Sequence, residues 1–129
     1  MKYLVITFGL SLMAPAILAA EQSLPAPVSG YFSAIAQNDR KALGDLYTEK
    51  AKILEVNRTI SGKKAILRWA DSEVFGGKYT IVRIIAANDT QAELIVEFIP
   101  KGATSGFRAN YKFQLTGKQI SYMNLQYAD

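Results

Sequence analysis

The 129-residue sequence contains no cysteine and no histidine. Without cysteine there is no disulfide, no thiol nucleophile and no thiol to carry a lipid, so the fold must be held by packing. Without histidine, the Ser-His-Asp triad, the Cys-His dyad, imidazole-built zinc sites and histidine-ligated haem are all excluded. Any acid–base step falls to Asp, Glu, Tyr, Lys or water. No metal and no cofactor is expected. Long runs of one charge are also missing: 15 Lys and Arg are interleaved with 11 Asp and Glu for a net charge of +4. That leaves no basic arm, and nucleic acid is not an expected partner. Hydrophobic residues make up 50% of the chain, which excludes a disordered polymer.

One long apolar run is present. Lys2 is followed by an uncharged stretch from Tyr3 to Leu18, then by the small residues Ala19-Ala20 and the polar Glu21-Gln22-Ser23. Positive, apolar and small-residue regions in that order make a secretory signal. A retained membrane helix is the alternative, but such a helix needs ~20 apolar residues, and Pro15 interrupts this run. The sequence therefore predicts a cleaved signal over residues 1–20 and one domain over 21–129. The protein would be periplasmic or secreted, with no membrane partner after cleavage. The tripeptides Asn57-Arg58-Thr59 and Asn88-Asp89-Thr90 match the glycosylation pattern; beside a leader of bacterial type they read as chance matches.

Val28, Tyr31, Phe32 and Ile35 recur at helical spacing after Pro25 and Pro27. Asn38-Asp39 breaks this helix and caps a second one carrying Leu43, Leu46 and Tyr47. A short strand, Ile53 to Val56, precedes Ser61-Gly62 and a third helix with Ala65, Ile66, Trp69, Ala70 and Val74 on its apolar side. The remainder alternates at period two, with turns at Asn88-Asp89, Pro100 to Gly106 and Thr116-Gly117-Lys118. Helices are predicted near 26–37, 40–48 and 62–75, and antiparallel strands near 79–87, 92–99, 107–115 and 119–127. This is an α+β layout.

Three stretches carry a family likeness. They are Tyr31 to Asp39 running into Ala42 to Tyr47, then Ser61-Gly62-Lys63-Lys64-Ala65-Ile66, then Gly117 to Ile120 with Tyr127-Ala128-Asp129. In order and spacing the chain resembles the nuclear transport factor 2-like superfamily, within it the SnoaL-like and ketosteroid-isomerase-like proteins. The resemblance implies a cone-shaped fold, three N-terminal helices packed on a curved antiparallel sheet, with a pocket at the wide end. It also implies a homodimer formed through the sheet. The superfamily hosts both enzymes and non-enzymes, so fold alone does not settle function.

The resemblance to ketosteroid isomerases places the carboxylate base at Glu55, one phenolic donor at Tyr31 and the second donor near Tyr111, a phenol replacing a carboxylic acid. A glutamate can abstract a proton beside a carbonyl, and phenols can stabilise the resulting enolate. The plainer readings stand beside these roles. Tyr31 and Tyr111 fit a packed core, and Glu55 between Leu54 and Val56 fits a solvated strand face. Phe32, Ile35, Trp69, Met123 and Tyr127 are candidate ligand-binding residues on the pocket wall. Three functions remain open: binding of a small apolar or aromatic ligand, placed first; a dimeric interaction module; and a proton-transfer enzyme.

Overall fold

The computed structural model describes residues 24–129; the expected signal segment lies outside them. Helix α1 (Ala26–Gln37) begins after Pro25, with proline again in its first turn. It buries Val28, Tyr31, Phe32 and Ile35 along one face. It ends at Asn38, whose φ of 53° lies in the left-handed region that asparagine tolerates. Asp39 then caps α2 (Arg40–Asp45), its carboxylate accepting from the Ala42 N–H at 3.0 Å.

Strands β1 (Tyr47–Glu55) and β2 (Arg58–Ser61) form a hairpin, followed by α3 (Lys63–Trp69) and one wide π-turn (Ala70–Val74). Strands β3 (Lys78–Ala87), β4 (Gln91–Ile99), β5 (Phe107–Thr116) and β6 (Gln119–Tyr127) complete the chain. The six strands form one curved sheet in the order β2-β1-β6-β5-β4-β3. All neighbours are antiparallel except β1 and β6, which run parallel. The sheet is therefore mixed, which corrects the antiparallel expectation. The physical reason is connection length: β1 and β6 are joined through α3 and four strands, long enough to return in the same direction.

Two boundaries also differ from expectation. The second helix stops at Asp45, and Tyr47 already stands in β1, fully buried. The third helix holds α-geometry only to Trp69 before the π-turn takes over. Helix α1 and the inner residues of the sheet share one core, which includes Tyr31, Phe32, Tyr47, Ile53, Leu94, Phe113, Ile120 and Met123. Two register shifts in β3 bend that edge of the sheet. Near the loop that follows β4, Gly77 lies against the Phe98 ring and Gly106 against the Phe98 carbonyl, approaches that leave no room for a Cβ.

Candidate functional site

On β1, alternation sends Ala51, Ile53 and Glu55 to the same side of the sheet. Ala51 and Ile53 are buried in the core. Glu55, at the strand's end, reaches instead the rim of a cavity of about 820 Å³. Strands β4, β5 and β6 contribute Phe98, Phe107, Ala109, Tyr111 and Leu125 to its wall. The α3 side contributes Trp69, Val74 and Phe75, and the mouth carries Val56, Asp71, Glu73, Lys101 and Tyr127.

Glu55 is held on both oxygens. Its Oε1 accepts from the Arg58 Nε at 3.0 Å and from the Arg58 Nη2. Its Oε2 accepts from the Trp69 indole N–H at 3.1 Å. The Arg58 Nη2 also donates to Glu73 Oε1 at 2.7 Å, so one guanidinium spans the two carboxylates. Glu73 and then Glu55 push the pKa of Arg58 up. The hairpin makes this cluster possible, since Glu55 and Arg58 pair across its two-residue turn. Widening of the helix at the π-turn presents Asp71 to Val74 along the mouth. Asp71 is held in turn by the Arg40 Nε, at 3.1 and 3.2 Å to its two oxygens.

Tyr111 lines the cavity and is 7% exposed. Burial, and after it the Glu55 charge, push its pKa up. Tyr31 lies behind it, 2% exposed, with ring centroids 6.3 Å apart in an edge-on contact. Burial first, then Tyr111, Tyr47 and Glu55, push the Tyr31 phenol up as well. Glu55, Tyr111, Trp69 and Tyr127 thus share one cavity, while Tyr31 is not on its wall.

Phe32, Ile35 and Met123 are not on that wall either; all three are buried in the core. Of β6, its end, Leu125 to Tyr127, is the part that lines the cavity. Further along the strand, the Met123 sulfur receives the Tyr47 hydroxyl at 3.0 Å. Sequence reasoning missed Arg58, Glu73, Phe98 and Phe107. The first two become visible only once residues 58–61 are read as a returning strand. Among the described residues no group of His, Cys, Asp or Glu is arranged to hold a metal ion.

The family model of the nuclear transport factor 2 (NTF2) domain matches residues 26–125. Among solved structures, the Sinorhizobium meliloti protein SMa1630, assigned as a polyketide cyclase, superposes with a TM-score of 0.71 at 22% identity, covering 82% of this chain and 98% of that one. RV0760c from Mycobacterium tuberculosis, in complex with estradiol-17beta-hemisuccinate, gives 0.70 at 13% identity, over 79% and 91% of the two chains. The Delta 5-3-ketosteroid isomerase from Mycobacterium sp. gives 0.69 at 12%, over 80% and 91%. At these identities the likeness is one of fold. No curated protein matches the chain significantly by sequence.

Proposed function

The chain belongs to the nuclear transport factor 2 domain family, and from that footing we propose that its cavity binds a small apolar or aromatic molecule. The observation that carries this reading is a cavity of about 820 Å³ walled largely by Trp69, Phe98, Phe107, Tyr111 and Leu125. Its volume falls in the range of ~300–1,000 Å³ usual for small-molecule sites. The fold neighbour solved with an estradiol ester supports the same class of occupant. Trp69 is the sole tryptophan and lines the cavity, so its fluorescence reports directly on occupancy. Titration with a steroid or a fused aromatic should change that fluorescence saturably. An unchanged signal across such a series, together with no heat in calorimetry, would exclude the reading.

A second reading is supported by Glu55 and Tyr111 lining the same cavity. In it the Glu55 carboxylate moves a proton beside a carbonyl and Tyr111 donates to the resulting oxyanion. An ionised carboxylate has about four lone-pair sites; three donor contacts engage Glu55 and leave one, on Oε2. Glu55→Gln should then stop proton exchange on a bound enone while leaving its binding nearly intact. Continued exchange in that variant would remove the enzyme reading. A purely structural interaction module calls for a filled cone, and the open cavity speaks against it.

Export and self-association belong to the same proposal. Mass spectrometry of exported protein should find a chain beginning near Glu21; an intact Met1 in that fraction would exclude the signal over residues 1–20. Val82 and Ile85 stand exposed on β3 and favour pairing of two copies through the sheet. Light scattering should return a dimer mass, and a strict monomer at high concentration would count against the pairing.

A further inference from the structure

The aromatic side of the cavity does not stop at its mouth. Phe98 is buried on β4, Phe107 stands opposite it on β5, and Tyr127 follows at the end of β6. Ring centroids are 6.1 Å apart from Phe98 to Phe107 and 5.4 Å apart from Phe107 to Tyr127, both edge-on. Exposure rises along this row, from 7% through 40% to 68%. Val56, also exposed, lines the same mouth. An apolar path therefore runs from the interior to solvent, and a ligand lying along it ends with its polar part outside. The interior asks for no polar group of its own: among the described residues every buried side-chain nitrogen and oxygen has a hydrogen-bond partner.

Charge at the mouth decides what that polar part is. Arg58 binds Glu55 and Glu73, and Arg40 binds Asp71, so each carboxylate on the wall has its cation. Lys101 is the one cation on the wall, and among the described residues it has no ion-pair partner. It stands in the loop that joins Phe98 to Phe107. Its stem lies across Gly76, so close that a Cβ there would stand 2.7 Å from the Lys101 Cδ. The stem is thus laid down on the backbone, and only the ammonium is left to seek a partner. We infer that the ligand of this cavity is an amphiphilic acid, its apolar body along the Phe98–Phe107–Tyr127 row and its one acid group at the mouth on the Lys101 ammonium. This rests on the cavity binding a small molecule. A lysine is a compact point charge, so it matches a single anionic group; a cationic end would be repelled, and a neutral end would gain nothing from it.

The test is calorimetric titration of the full chain at pH 7 with decanoate, 1-decanol and decylammonium. Lys101→Met keeps the stem on Gly76 and removes the charge. It should weaken decanoate about fivefold at low salt, the upper range for an exposed ion pair, and leave decanol unchanged. Lys101→Arg should bind decanoate as the unmodified chain does. Salt of about 0.5 M should erase the difference between the unmodified chain and Lys101→Met. Decylammonium should bind weakest to the unmodified chain and gain in Lys101→Met. Tyr127→Ala, at an exposed position, should weaken acid and alcohol by the same factor. Decanoate binding unmoved by Lys101→Met, decanol falling along with it, or both ligands indifferent to Tyr127→Ala overturns the inference while the cavity reading stands. So does a decyl series that gives no heat when a steroid or fused aromatic still moves Trp69 fluorescence. Silence of every probe overturns both.

Discussion

Tyr47 and Met123 are both fully buried, and the phenol has only a thioether to donate to, at 3.0 Å. Thioether sulfur is a weak acceptor, so Tyr47→Phe should cost no more than about 1 kcal/mol in urea denaturation. Met123→Leu nearly conserves volume but strands the buried O–H, and should cost about 1–3 kcal/mol. Combining the two should recover much of that loss, because removing both partners leaves nothing unpaired. A double variant less stable than Met123→Leu alone would contradict this account. The same residue illustrates what could be read ahead at the site. Period-two alternation correctly put Met123, Leu125 and Tyr127 on one face of β6, but it carries no information on where along that face the helices stop covering it. Glu55 was locatable because strand position and family spacing agree on it. Its arginine and tryptophan partners come from other elements, and no local pattern links them.

At the scale of elements, the β1–β2 turn holds Val56 at a φ of 57°, a region where a β-branched residue is strained. The first residue of such a two-residue turn is normally glycine. Its amide still donates to the Leu125 carbonyl at 2.8 Å, and its carbonyl accepts from the Gln126 amide at 3.1 Å, so the surroundings fix the geometry. Val56→Asn keeps those backbone bonds and suits the left-handed region. It should raise stability by about 1 kcal/mol, read as a higher melting temperature; a lower one would mean that the Val56 side chain contributes more than its strain removes. This turn was also where sequence reading stopped. Tyr47 and Thr48 read as the end of the second helix, and Glu49 to Lys52 carries no β-branched residue, so the front half of β1 did not read as strand. Val56 does not announce a turn, so β2 went unseen. By contrast α1, β4, β5 and β6 fell within a residue or so of their predicted limits, because each carries an unbroken period of its own.

For the whole molecule, three buried phenols set the alkaline limit. Tyr31, Tyr47 and Tyr111 are each pushed above the ordinary tyrosine value of 10.0, chiefly by burial. Between that value and the higher folded one, the native state holds more protons than the unfolded chain. Stability should therefore be unaffected by these groups below about pH 9 and fall as pH rises past 10, by up to about 1.4 kcal/mol per pH unit for each phenol. Their phenolate absorbance should appear only together with loss of the folded circular dichroism signal; appearance beforehand would show that they ionise in place. The parallel pairing of β1 with β6 sets a limit of another kind, in time. Tyr47 lies beside Ile120 and Glu55 beside Leu125, so the first strand waits for the sixth. Until Gln119 onward has been synthesised, β1–β2 and β3–β5 are two separate half-sheets, each with an open edge able to pair with another chain. A chain ended after Gly117 should lose the protection of α1 amides along with the sheet, and it should aggregate at concentrations where the full chain stays clear. Arrival of β6 is thus the step that commits this protein to fold, and a chain cut short of it is left with two half-sheets unable to close.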